Sequence, residues 1–238
     1  MQKLILTALV AGFIAGIVSF GIQQVKLSPM ILHAEVYEDA AEQNQEQHHD
    51  AVASEEHHHD ENAWQPENGF ERNAYRALAD IGVGVGYALL LVGAIVLSGD
   101  KVNLQKGALW GVAGFAVFSL APSFGLSPEL PGSMAADLYA RQIWWIATAV
   151  ATAAGLAMLA FSRANIWKII GIVAIALPHI IGAPETEIMG GSVPPELNAG
   201  FAAASIGVAA VFWVVLGAVS GWFYGRQNLT NNNQNRAF

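Results

Sequence analysis

Five of the seven histidines in this 238-residue chain fall in one acidic stretch: His48-His49 and His57-His58-His59, among Glu42, Glu46, Asp50, Glu55, Glu56, Asp60 and Glu61. Neutral imidazole is a good ligand for Co²⁺, Ni²⁺, Cu²⁺ and Zn²⁺, and carboxylates can complete the shell. The stretch is too polar to pack a core, so it is expected to be disordered without metal. A site that orders on binding pays conformational entropy, which suits capture and release better than storage. The same composition also reads as a solvated acidic linker with incidental histidines, and it does not choose the metal.

The other two histidines lie elsewhere. His33 belongs to the run Ser28 to Glu38, where a helix would put His33, Tyr37 and Glu38 on one face, with Glu35 and Glu38 three apart. An amphipathic interfacial turn explains that run equally well. His179 follows Pro178 inside an apolar run and precedes Gly182-Ala183-Pro184-Glu185. An ionisable group inside a membrane is costly and is a functional candidate by default. Pro178 frees the carbonyl four residues earlier, and a broken helix beside an imidazole would offer nitrogen and oxygen ligands together. A helix-end histidine bonded to a nearby carbonyl is the plainer alternative. There is no cysteine, hence no disulfide and no thiolate site.

These residues must be positioned by membrane helices. The chain is 54% hydrophobic and only 13% charged, against about 25% charged in soluble domains. A spanning helix needs roughly 20 apolar residues. We read an all-α polytopic bundle of about six spans, Leu4–Val25, Ala77–Ser98, Lys106–Ser123, Ile143–Phe161, Ile166–Ile181 and Ala199–Tyr224, with five if the short fifth fails to cross. The third and fifth are short and meet Pro122 and Pro178, so broken or irregular backbone is expected there. The resulting regions are 1–25, a first helix; 26–76, an acidic His-rich extracytoplasmic loop; 77–225, the bundle; and 226–238, a polar tail. The first stretch is longer than a signal-peptide core and lacks a clean cleavage site, so it reads as a retained helix.

Of the net charge of −8, the loop carries most, with twelve acids and three bases in 26–76 against seven acids and eight bases elsewhere. No basic stripe exists for nucleic acid. Lys3, Lys101, Lys106, Arg163, Lys168, Arg226 and Arg236 fall on one side of a six-span topology, and Lys26, Arg72, Arg76 and Arg141 on the other. That bias places both termini in the cytoplasm and the His-rich loop in the periplasm. Trp144 and Trp145 beside Arg141, and Trp222 with Tyr224, read as interfacial anchors. The pairs Gly12/Gly16, Gly82/Gly86, Gly107/Gly111, Gly217/Gly221 and Gly221/Gly225 predict close helix packing. Glu129 and Glu196, each in a Pro-Glu-Leu sequence, are expected near helix starts. With no phosphate-binding loop, no HExxH and no Ser/His/Asp order, the chain is not expected to be an enzyme.

Several ordered motifs carry a family resemblance. They are Gln23-Gln24 with Pro29 and Ala34-Glu35-Val36-Tyr37-Glu38; Trp64-x-Pro66-x-x-Gly69-x-Glu71-Arg72; Leu109-Trp110-Gly111-x-Ala113-Gly114-Phe115-Ala116; Gly125-Leu126-x-Pro128-Glu129-Leu130-Pro131-Gly132; Arg141-Gln142-x-Trp144-Trp145; Pro178-His179-x-x-Gly182-Ala183-Pro184; and Pro195-Glu196-Leu197. Over nearly its whole length the chain resembles the CbtA family, described as probable cobalt transporter subunits. The resemblance implies cobalt uptake linked to cobalamin synthesis in a bacterial inner membrane. It also implies a small single-span, His-bearing CbtB-like partner. Five spans are often described for the family.

The expected function is therefore inward passage of Co²⁺ or a similar divalent ion, with no tightly bound cofactor and the lipid bilayer as surroundings. The 48–61 loop would gather the ion, and His33, Glu35, Glu38, Glu71 and His179 would be candidate ligands at the mouth. Trp64, Pro66 and Arg72 would order the loop's return to the membrane. The competing readings are a non-transporting accessory that binds metal for another transporter and, more remotely, an intramembrane enzyme.

Overall fold

A computed structural model describes residues 2–46, 66, 69–186 and 191–235. Among them are seven helices and no strand: α1 Gln2–Lys26, α2 Ser28–Glu46, α3 Phe70–Ser98, α4 Leu104–Ser123, α5 Leu138–Phe161, α6 Asn165–Ile181 and α7 Pro195–Asn235. Five of these, α1, α3, α4, α5 and the first 32 residues of α7, are long and apolar enough to cross a membrane. Helix α6 has 17 residues, a length of about 25 Å against a hydrocarbon core of about 30 Å. The chain is a multi-pass membrane protein with five long spans and one short apolar helix.

Two stretches of the 26–76 segment are helical. The chain bends at Leu27, whose carbonyl accepts from Met30 and Ile31, and resumes as α2; α3 begins at Phe70, before the apolar run. Helix α4 carries one π-helical turn, Ala116–Leu120, ahead of Pro122. Such a turn widens the backbone ladder and is frequent at functional sites.

Glycines set the packing. Helices in lipid gain little from apolar burial against each other, so they associate where backbones can touch. Helices α4 and α7 meet along Gly107, Gly111, Gly217 and Gly221. A methyl group on Gly217 would lie 2.6 Å from Gly111 Cα, and one on Gly221 2.6 Å from Gly107 Cα. Helices α1 and α3 meet the same way, with Gly12 against Gly84 and Val85, and Gly16 2.7 Å (from its added methyl) to Ile81 Cα. Gly82 and Gly86 depart from the expected seam: among the described residues, nothing lies within 4 Å of a methyl at either. Gly84 between them faces α1, and residues two apart on a helix point to opposite sides.

The core between these pairs is aromatic. Tyr87, Phe118 and Trp213 gather with ring centroids 4.8 to 5.5 Å apart, and the Trp213 indole N–H donates to Ser119 Oγ at 3.1 Å. This ties the π turn of α4 to α3 and α7. Helices α5 and α6 form an antiparallel hairpin sealed by Gly155 and Gly171, and the hairpin touches the remaining helices chiefly at the π turn and the turn after it.

Candidate functional site

Among the described residues, one end of the bundle collects most of those whose chemistry is unusual. The C-terminal end of α1, the start of α3, the end of α4, the start of α5, the end of α6 and the start of α7 all lie there. Helix α2 lies across that end. Its Ala34 is packed with Leu27, Leu130, Val193, Phe201 and Val208 in a buried cluster, so α2 is held on the two proline-rich connections and on α7. The connections also hold each other, through a bridge between Ser133 and Gly191 and a Ser133 hydroxyl donated to Asn198 Oδ1 at 3.0 Å. Gly132 adopts φ +76°, and a methyl there would meet Ser192 Oγ at 2.8 Å and lie 3.7 Å from Glu38 Cβ. The turn therefore runs directly beneath α2.

The candidate ligands on α2 share the helix without converging. His33 is exposed and its ring lies 5.4 Å from that of Tyr37. Glu35 accepts from Arg72 at 2.5 Å, which fastens α2 to the first turn of α3, where Glu71 is also found. Glu38 sits half-buried over Gly132. No group of three His, Asp or Glu side chains able to hold a metal occurs among the described residues. His48, His49, His57, His58 and His59 lie outside the described residues, as does Trp64.

A polar collar lies just beneath α2, built on the Gln23-Gln24 motif of α1 and on Asn73, Arg76 and Asp80 of α3, which no motif includes. Gln23 of α1 donates its amide to Asp80 Oδ2 at 3.1 Å and to Ser19 Oγ at 3.0 Å, and accepts from Arg76 at 3.3 Å. Arg76 also donates to Ser28 Oγ at 3.0 Å, and Gln24 donates to Asn73 Oδ1 at 3.0 Å. Asp80 is the feature that sequence could have revealed: it is an acid within the apolar run Ala77–Ser98, one helical turn after Arg76. The collar joins α1, α2 and α3 by paired polar groups, as a low-dielectric setting requires.

Two grooves flank the contact between α4 and the hairpin. The first, about 890 Å³, runs between α4, α5 and α7 past Ser119, Ser123, Ser205 and Trp145, with Glu129 and Arg141 at its rim. Glu129 departs from its expected place at a helix start: α5 begins nine residues later, capped by the Asp137 carboxylate, and Glu129 instead accepts from Arg141 at 3.2 Å. Glu196 does lie in the first turn of α7.

The second groove, about 750 Å³, lies between α4, α5 and α6 and is lined by His179, Glu185, Thr152, Trp144 and Phe124. Helix α6 is not broken at Pro178; it runs on to Ile181 and ends at Gly182, φ +90°. His179 occupies its last turn with Phe124 and Trp144 edge-on, each centroid 6.0 Å away. Trp144, expected at the interface beside Trp145, is buried instead and donates its indole N–H to the Pro178 carbonyl at 3.4 Å. The ring that was to anchor α5 in the headgroups thus fixes the end of α6.

A model of the CbtA family, described as "Probable cobalt transporter subunit (CbtA)", matches residues 1–225. No curated protein and no solved structure matches the chain. The chain belongs to the CbtA family of probable cobalt transporter subunits.

Proposed function

We propose that this CbtA-family subunit takes Co²⁺ from outside the cell, first on the His- and acid-rich segment 48–61 and then into the helical bundle. One observation carries the reading: α2, which leads directly into that segment, lies across the same bundle end where His179, the one histidine within an apolar helix, opens to a groove. Ion gathered by the segment is therefore released beside the bundle's own polar groups. The Lys and Arg distribution supports an orientation with this end in the periplasm and both termini in the cytoplasm, in a bacterial inner membrane. A small His-bearing CbtB-like partner completes the transporter. The acids and imidazoles act by replacing hydration water a few ligands at a time, which keeps binding weak enough for release.

The test is cobalt accumulation in cells that lack other uptake routes, with and without the small partner. Accumulation above that of cells carrying an empty vector supports transport. A second reading, metal delivery to another transporter without transport by this chain, draws support from the absence of a three-ligand cluster among the described residues. Purified protein in liposomes that binds cobalt and moves none, with the partner present, would establish that reading and overturn the first.

A further inference from the structure

The groove between α4, α5 and α6 holds three polar groups at successive depths. Glu185 is exposed in the connection beyond α6; His179 lies within the last turn of α6; and Thr152 of α5 lies two turns below Trp144, the His179 neighbour. Thr152 is 3% exposed and its hydroxyl has no hydrogen-bond partner among the described residues. Buried hydroxyls are nearly always paired, so an unpaired one lining a groove calls for a ligand or an ordered water. Ala116, where the π turn of α4 begins, also lines the groove.

Charge favours a cation here. Helix α6 ends at the groove, and a helix C-terminus carries about half a negative charge. The Glu185 carboxylate adds to it, and among the described residues no Lys or Arg lines the groove. Size favours an ion that keeps its water: six waters occupy roughly 180 Å³, well within 750 Å³. The other groove is larger and is also lined by an unpaired buried hydroxyl, that of Ser205, but it differs in charge, because Arg141 at its rim occupies Glu129.

We infer that this groove is the intramembrane binding site for a hydrated divalent cation, with Glu185, His179 and Thr152 as its successive ligands. This rests on the transport reading above and adds to it a specific route and an inner ligand, Thr152. His179 contributes a ring nitrogen, Thr152 its hydroxyl oxygen, and Trp144 holds the α6 end in place through the Pro178 carbonyl.

Two measurements on the full-length protein in liposomes, with Co²⁺ alone as probe, test this. The first is quenching of Trp144 emission, identified by subtraction of the Trp144→Phe variant. Co²⁺ should quench it in the intact protein, and His179→Ala or Thr152→Val should weaken that quenching about tenfold in concentration. The second is cobalt uptake with the partner present, expected to fall at least tenfold in Thr152→Val while the melting temperature holds or rises, since an unpaired buried hydroxyl has been removed. Ala209→Phe, which fills the other groove, should leave uptake intact. Quenching without uptake would retain the site and discard the transport reading. Absence of Trp144 quenching in folded protein, or full uptake by both Thr152→Val and His179→Ala, would overturn the site.

Discussion

The seam between α4 and α7 and the joint between α4 and the α5–α6 hairpin are built on opposite terms. At the seam, backbone meets backbone over Gly107, Gly111, Gly217 and Gly221, and no added methyl fits. At the joint, contact is confined chiefly to one π turn and the turn after it, and open grooves lie on both sides. The hairpin is itself tight, with Gly171 against the Gly155 carbonyl, so it can respond as one body. The lesson is that α1, α3, α4 and α7 form a frame held by backbone contact and by the paired collar of Gln23, Arg76 and Asp80, while the acid, the imidazole and the Thr152 hydroxyl that are open to a ligand lie where the hairpin meets that frame. Fixed packing and an ion route are assigned to different surfaces of α4.

The largest expected effect would come from the seam. Gly111→Leu should cost more than about 3 kcal/mol, since overpacking here must separate two backbones. It should be read as loss of monodisperse protein in detergent. Gly82→Leu, the same change on a glycine with open space around it, should yield normal protein. Equal yields from the two variants would break the comparison, because the seam would then have the same tolerance as the lipid-facing side of α3.

Next in size are the ion-route variants. His179→Ala should lower cobalt uptake at least tenfold at every cobalt concentration, with normal protein levels. Deletion of residues 44–61 should act differently, lowering uptake up to roughly tenfold at low cobalt and not at all near saturation, because an acidic collector raises the local cation concentration without forming the path. If instead the deletion abolished uptake at all concentrations while His179→Ala had none of its expected effect, the route would belong to the segment and not to the joint.

How much of this was legible in the sequence follows from which signals are local. The spans were legible because apolar length is a property of consecutive residues, and His179 stood out because an imidazole among Ile, Leu and Ala has no local reason to be there. Gly84 was not, since spacing cannot tell which side of α3 faces α1; the pair Gly82/Gly86 has the more regular pattern and the open side. Thr152 was invisible for a similar reason: a threonine in a membrane helix is ordinary until its hydroxyl is found buried and unpaired. Trp144 was misplaced because a tryptophan near a helix start is usually an interfacial anchor, and only the α6 carbonyl beside it reveals a different partner. The run Ser28 to Glu38 reads equally as a helix or an interfacial turn, since the stability of α2 comes from Ala34 and Leu27 packing on loops more than ninety residues away in the chain.

The smallest effect concerns the α2 clasp, and its sign matters more than its size. Arg72 and Glu35 are each about one-third exposed, at 35% and 33%, so solvent screens the pair and it should be worth at most about 1 kcal/mol. The buried side of α2 is the stronger hold: Ala34 is fully buried, and Ala34→Leu should destabilise the protein by about 1 to 3 kcal/mol through overpacking. Glu35→Gln should therefore leave the melting temperature nearly unchanged, and any difference should vanish in high salt. If Glu35 serves only as a clasp, uptake in Glu35→Gln will follow the small change in stability, and Arg72→Gln will match it. If Glu35 hands the ion inward, uptake will fall far more in Glu35→Gln than in Arg72→Gln, because removing the arginine exposes the carboxylate that removing the acid destroys. That asymmetry would move the first intramembrane contact from the hairpin joint to the frame, and the division of labour across α4 would have to be redrawn.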